Sequence, residues 1–343
     1  LDVGKQVLEK YPQMKVAASM ENHARHSGIH AAGILVTDEP VSKYCSVSDQ
    51  NGTAQIDKKD AEELNLLKID ALGLRTLSVL QDVLDQVGWD REQLVSHPLD
   101  DKAAFAVLNE ERYAGIFQFE GYALQSVTRQ MKVHEFEDVA AITALARPGP
   151  LNSGGTAEYI KRHTGAAPVE YLHPLTEAIT KVTNGVVVYQ EQVMMIGRDV
   201  GGLSWEDVSS LRKAMSRSLG TEFFDKYFEK FKAGAKKNGI DKDSARYIWD
   251  HINTMGSWAF NRSHAVAYGL VSYWCCVLKS RFPLEFAAAC LRNVKDDEQA
   301  VRLLREVVRE GLSYKSFDKF KSTENWSVQE GELIGGLIGI KGT

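Results

Sequence analysis

The chain has 343 residues, 44% of them hydrophobic and 25% charged, with 46 Asp and Glu against 41 Lys and Arg for a net charge of −5. This ordinary globular composition is long enough for a sizeable core and two or more domains. It excludes a nucleic-acid grip by bulk positive charge, which leaves that task to local clusters of Lys and Arg, and no apolar run approaches the roughly 20 residues that span a bilayer.

Residues 1 to about 20 carry a weak helical pattern. The start, LDVGKQVLEKYPQ, has neither an apolar signal region nor an initiator methionine, which leads us to expect a fragment or a processed chain. The stretch HARHSGIHAAG holds His23, His26 and His30, but no Cys or acid stands at zinc-ligand spacing and Arg25 lies among them. HAAGILVTDEP (30–40) reads as a strand ended by Pro40, and QNGTAQIDKKDAEEL (50–64) holds an Asn-Gly turn that predicts a hairpin. LLKIDALGLRTL (66–77) then alternates apolar Leu67 and Ile69 with Lys68 and Asp70, so the strand predicted over 66–70 puts both charges on one face. That pair is either an exposed ion pair worth about 0.5 kcal/mol or part of a site where an aspartate binds metal and a lysine neutralises an anion.

From Leu74 onward Leu77, Leu80, Leu84 and Val87 recur at helical steps until Gly88. Further helices are predicted over 102–109, 136–146, 190–200, 205–217, 222–238, 243–254, 264–279, 283–293 and 297–310, with GIFQF (115–119) and GVVVYQ (185–190) as short extended exceptions. ARPGP (146–150) predicts a rigid turn that aims Arg147. NWSVQEGELIGGLIGIKG predicts a closing β-hairpin. Cys45, Cys275, Cys276 and Cys290 lack zinc or redox spacing and read as buried thiols of a reducing compartment. The fold class is mixed α/β up to about residue 75, then mainly α.

Two helices carry candidate binding groups. In SWEDVSSLRKAMSRS (204–218), Ser204 and Asp207 form a capping pattern, and Arg212, Lys213 and Arg217 crowd the last turns. Cations there are also an ordinary structural choice. In SWAFNRSHAVAYGLVSYW (257–274), Ser263 suits an N-cap with Asn261 and Arg262 ahead of it, and a helix N-terminus attracts anions. His264 and Tyr268, four apart, share a face that a base or sugar could use; a buried histidine is the plain alternative. No GxxxxGK[ST] or GxGxxG motif is present.

Seven strings occur in order: RHSGIHAAGILV, LLKIDALGLRTL, GIFQFE, ALARPGPLNSG, VVVYQEQVMMI, LRKAMSRS and FNRSHAVAYGLVSYW. Together they closely resemble the alpha subunits of bacterial DNA polymerase III, the C-family replicative polymerases. The resemblance covers nearly the whole chain. It implies part of a polymerase-beta-like nucleotidyltransferase palm followed by large helical fingers: 1–20 the end of a thumb-like helical segment, 21–75 the second part of the palm, 76–312 the fingers and 313–343 the start of a following β-hairpin segment of the fingers. It implies a DNA-directed DNA polymerase that adds deoxynucleotides to a primer 3′-hydroxyl with two Mg2+ ions. Asp70 matches the last of the family's three metal-binding aspartates, and Lys68 matches a lysine that approaches the nucleotide phosphates. Arg212 and Lys213 match a basic pair reaching the triphosphate, and Asn261, Ser263 and His264 match the segment closing over the nucleotide, with Arg262 where lysine is usual.

The resemblance further implies primer–template DNA and deoxynucleoside triphosphates as partners, a sliding clamp and other replisome subunits through regions outside these residues, no membrane, and the cytoplasm of a bacterium or a phage-infected cell. The family's first two aspartates are missing from this stretch, so residues 1–343 alone are expected to be inactive. Trp258 and FEGYAL depart from the family pattern and suggest a divergent, phage-like member. Two rivals remain at this point: a non-catalytic nucleic-acid-binding or replisome-assembly module derived from the fold, and a metal-dependent hydrolase built on the histidines 23–30.

Overall fold

In the computed structural model, which describes residues 5–20, 23, 28–30, 32–71, 73–217, 221–294 and 296–339, the alternating charged segment does form a strand. The chain divides into two units, Leu1–Leu74 and Arg75–Thr343. In the first, α1 (Lys5–Lys10) and α2 (Met14–Ser19) precede β1 (Gly33–Val36), and α3 (Lys58–Glu63) precedes β2 (Leu67–Asp70). The two strands are antiparallel, with Gly33 opposite Asp70, Ile34 opposite Ile69, Leu35 opposite Lys68 and Val36 opposite Leu67. Paired residues share a face, so Ile34, Val36, Leu67 and Ile69 make one apolar side. That side is exposed (Leu67 59%, Ile69 47%), because no second layer among the described residues packs on it.

The hairpin predicted over 50–64 is only half present. Gly52, at φ +68°, turns the chain, and Val47 bridges Ala54. The second arm is helical instead: Asp57 caps α3 by accepting the Asp60 N–H at 2.9 Å, and the run after it is helix-forming.

The second unit is helical. It runs through α4 (Arg75–Val87), α5 (Arg91–Val95), α6 (Lys102–Asn109), α7 (Tyr122–Met131), α8 (Phe136–Leu145), α9 (Pro148–Ser153) and α10 (Gly155–His163). Next come α11 (Glu177–Thr180), α12 (Gln190–Met195), a π-helical turn over Ile196–Val200, α13 (Trp205–Arg217), α14 (Thr221–Asp225), α15 (Phe228–Lys237) and α16 (Lys242–Gly256). It closes with α17 (Arg262–Arg281), α18 (Pro283–Arg292) and α19 (Asp297–Arg309), then β3 (Tyr314–Lys315), β4 (Ser327–Gln329) and β5 (Glu332–Ile334). β4 and β5 are the predicted hairpin, turned by Glu330 and Gly331 at positive φ, and β3 joins β5 in parallel.

Two apolar clusters hold this unit. The larger surrounds α17, which packs on α8 and α6 and buries residues around most of its circumference. The smaller joins α12, α13, α15 and α16, with Trp249 fully buried and its ring 4.9 Å from that of Phe231. Side chains of this size each stabilise by roughly 1.5–3 kcal/mol on burial. Lys279 of α17 is buried too. Its ammonium donates to the carbonyls of Arg112 (3.1 Å) and Ala114 (3.0 Å) and pairs with Glu306 and Glu310 of the α19 end. Burial pushes the Glu306 carboxyl up, against the pull of Lys279.

Both predicted extended exceptions are corrected. GIFQF is a chain of turns, with Gln118 at φ +62° and the Phe119 N–H donating to Ile116. Residues 186–189 are buried on all sides by helices and find one strand-like partner, the parallel bridge from Tyr189 to Phe260. ARPGP opens α9 rather than making a plain turn, because Pro148 sits in its first turn, where no N–H is required. Cys275, Cys276 and Cys290 are buried, with Cys275 pushed up to about 12 by burial; Cys45 is only partly buried.

Candidate functional site

In the first unit the site is built on the end of β2. Lys68 Nζ lies 2.8 Å from Asp70 Oδ1 on the face that the alternation predicts. Gly33, directly across the ladder, makes room: a Cβ there would stand 2.9 Å from both Lys68 Cε and His30 Nδ1. The His30 ring is oriented by the Ala32 N–H, which donates to Nδ1 at 3.2 Å. Its Nε2 lies 3.8 Å from Asp70 Oδ1. The bond from Lys68 is the main cause that holds the Asp70 carboxyl below its ordinary value, with smaller help from His30 and Lys58. Asp70 is thus an anion with one oxygen engaged, and Oδ2 has no partner among the described residues. Beside it a cleft of about 530 Å³ is walled by Leu35, Val47 and Ile56, and Lys68, not Asp70, lines it.

In the second unit Asn261, not Ser263, caps α17. Asn261 is extended, and its Oδ1 accepts the His264 N–H at 2.8 Å and the Ser263 hydroxyl at 2.6 Å. The anion at this helix start is internal. Glu191 of α12 accepts the Arg262 N–H at 2.9 Å and the Asn261 amide at 3.2 Å. Arg262 also pairs with Glu137 at 2.9 Å. His264 is exposed, its ring 4.1 Å from that of Tyr268 and 5.5 Å from that of Phe260.

Arg147 braces the segment before the cap, donating to the Trp258 carbonyl at 2.8 Å and lying over the Phe260 ring at 4.3 Å. Trp258 fits because Gly149 and Gly155 present no Cβ: one at either position would come within 2.8 Å of it. Arg212 and Lys213 are exposed on α13 and have no ion pair or hydrogen bond among the described residues. Ser204 and Asp207 form the predicted cap of that helix, the Asp207 N–H donating to Ser204 Oγ at 3.1 Å. α12 packs on α13 and lends Glu191 to α17, so one short helix supports both groups of candidates.

The structure therefore brings Lys68 to Asp70, and Asn261 through His264 into one capped turn. Gly33, Lys58, Glu137 and Glu191 escape the sequence reading. Glu191 alone had a signal, as the acid of VVVYQEQ. His26 and the side chain of Arg217 lie outside the described residues. Among the described residues no group of three or more His, Cys, Asp or Glu could hold a metal ion, and no helix is long and apolar enough to cross a membrane.

Residues 76–239 match the family model of the bacterial DNA polymerase III alpha subunit finger domain, and residues 5–73 match that of the bacterial DNA polymerase III alpha NTPase domain. Over 98% of its length the chain is 35% identical to the DNA polymerase III subunit alpha of Aquifex aeolicus. The chain belongs to the bacterial DNA polymerase III alpha subunit family. It is also similar to the DNA polymerase III subunit alpha of Haemophilus influenzae, 34% identical over 96% of this chain. To that of Staphylococcus aureus (strain COL) it is 36% identical over 87%. The chain spans 28–30% of the length of these relatives.

Proposed function

We propose that the chain is the part of a DNA-directed DNA polymerase that holds the incoming deoxynucleoside triphosphate against the primer 3′-hydroxyl. In this reading 21–75 is the second part of the palm, after a thumb-like 1–20; 76–312 forms the fingers and 313–343 the start of a following β-hairpin segment of the fingers. The observation that carries it is the Lys68–Asp70 pair: a carboxylate kept charged by a 2.8 Å contact, with its second oxygen unpartnered among the described residues.

Magnesium is a hard cation that takes one or two protein carboxylates and fills its remaining positions with water and phosphate oxygens. Asp70 fits as one such ligand. It does not make a two-ion site by itself, since no group of three or more His, Cys, Asp or Glu among the described residues could hold a metal ion. The remaining carboxylates of a two-ion site would come from outside these 343 residues, so the isolated segment is expected to be inactive. When bound, the ions would supply positive charge to the attacking hydroxyl and the leaving phosphates.

The chain's own groups have distinct tasks. Lys68 holds Asp70 in place and presents an ammonium to phosphate oxygens along the cleft. Arg212 and Lys213, exposed on α13 and without a partner among the described residues, orient the triphosphate and meet the charge that develops on it. The capped turn Asn261–His264, fixed by Glu191 and Glu137, presents the His264–Tyr268 face to sugar and base. Because Glu191 already takes the helix-start N–H of Arg262, this turn recognises shape and ring rather than phosphate. Primer–template DNA is the other substrate, clamp and replisome contacts would lie elsewhere in the full protein, and the setting would be the bacterial cytoplasm.

The test is primer extension with magnesium by the chain joined to its native upstream segment, wild type against Asp70→Asn at saturating DNA. A loss of about a hundred- to a thousandfold with DNA binding kept is expected for an electrostatic group of this kind. Equal extension by the variant would reduce Asp70 to a structural ion-pair partner.

A further inference from the structure

The second unit holds another cationic cleft, made by none of the residues assigned above. Its volume is about 290 Å³, and Arg129 of α7, Arg302, Arg305 and Arg309 of α19, and Tyr113 line it. The α19 arginines recur at steps of three and four, which is one face of a helix, while Leu303 and Val307 of the same helix are buried in the core. In a chain of net charge −5 this is a local departure from composition.

The acids in the wall are engaged with partners other than Arg302 and Arg305. Glu111 is taken by Arg129 at 2.8 Å, Glu120 accepts the Gly115 N–H at 3.2 Å, and Glu306 pairs with Lys279, accepts the Ala114 N–H and lies 3.8 Å from Arg309. Arg309 donates to the Glu111 carbonyl at 2.7 Å. Arg302 and Arg305 have no ion pair or hydrogen bond among the described residues. Like charges three apart on a helix repel, and an anion between them removes that cost.

Two aromatic groups point to the kind of anion. Tyr113 is 5% exposed and its hydroxyl has no hydrogen-bond partner among the described residues, a costly state for a buried polar group. Burial, helped by Glu111 and opposed by Arg129 and Arg309, all charges of the cleft, pushes it up to about 12, so the O–H remains a donor. Tyr122, in the first turn of α7, stands seven residues before Arg129 and hence on its face. It is 80% exposed, and it acts electrostatically on Arg129.

We propose that this cleft binds a phosphodiester of single-stranded DNA, with Arg302 and Arg305 on the phosphate oxygens, the Tyr113 hydroxyl donating to the same group, and Tyr122 stacking the neighbouring base. Guanidinium forks match phosphate oxygens in pairs. An exposed ring beside arginines is a platform for a strand without sequence preference. Free phosphate shares the oxygens but lacks the base. The inference rests on the reading of the chain as a DNA-handling segment.

The test is binding of a fluorescent oligo(dT) of about 12 nucleotides to the 343-residue chain, by anisotropy over a salt series, with inorganic phosphate as competitor. Arg302→Glu with Arg305→Glu should weaken binding at least about tenfold and lower the salt slope by about 1.4, two single-strand contacts. Tyr122→Ala should weaken it by about tenfold with the slope unchanged. Lys236→Glu with Lys237→Glu, the same change of charge on α15, should stay within about twofold. No binding by the wild type at low salt overturns the proposal, as does full affinity and slope in the arginine variant. Unchanged binding by Tyr122→Ala with efficient competition by phosphate also overturns it, in favour of a free-phosphate site. If Asp70→Asn, in the chain joined to its native upstream segment, extends primers as the wild type does while the arginine variant loses the strand, the catalytic reading fails and the cleft stands; the reverse pattern removes the cleft alone.

Discussion

Gly33 stands opposite Asp70 where a side chain would strike Lys68 and His30, so the ladder and the ion pair depend on the same residue. The consequence is chemical. Asp70 titrates below the ordinary 3.8 chiefly because Lys68 bonds it. A carboxyl lowered in the folded state stabilises the fold above 3.8, and that contribution disappears as pH falls through the lowered value. The window is therefore acidic, and neutral pH leaves the pair intact. In Lys68→Met, Asp70 should titrate higher, toward 3.8, when followed by carboxyl carbon NMR. An unmoved titration would assign the effect to Lys58 or His30 instead. That Lys68 and Asp70 share a face was legible from the two-residue period of a strand. His30 and Lys58 were not, since their nearness to Asp70 depends on a turn and a helix in the stretch 40–66 that alternation cannot read.

At the level of elements, the start of α17 carries the most information in the fewest residues. Asn261 accepts from His264 and Ser263 and donates to Glu191, so it closes the helix and joins it to α12. Asn261→Ala removes all three contacts. A lost cap costs about 0.5–2 kcal/mol, which urea denaturation of the chain should register as a lower midpoint with unchanged slope. No change would mean that Glu191 caps the helix unaided through the Arg262 N–H. Helices with an uninterrupted apolar stripe were readable: α6 spans the predicted 102–109, and α13 and α19 start and stop within a residue of expectation. α7 and α10 were not, because each follows a glycine and mixes polar and apolar residues evenly; α7 buries only Val127, Thr128 and Met131. Ser263 was a reasonable cap by type. Asn261 displaced it because the parallel bridge of Phe260 to Tyr189 holds the preceding chain extended up to that point.

For the whole molecule, the change of character near residue 75 was visible as the onset of helical periodicity, and the division between Leu74 and Arg75 falls there. What the pattern could not convey is how unequally the two units are filled. Both apolar clusters belong to Arg75–Thr343. Among the described residues of Leu1–Leu74 the one buried hydrophobic residue is Ala61, while Ile34 (55%), Val36 (45%), Leu67 (59%) and Ile69 (47%) face outward. Ordering a backbone costs about 1–2 kcal/mol per residue, and a single alanine with a two-strand ladder cannot offset that over such a length. Residues 75–343 expressed alone should therefore unfold cooperatively in urea and keep the helical circular dichroism expected for that stretch. Residues 1–74 alone should show no cooperative transition, and in the full chain trypsin should cut them first. A sharp transition for the short piece would mean that its exposed sheet face finds cover within its own 74 residues, and the account of where this chain keeps its stability would have to be reversed.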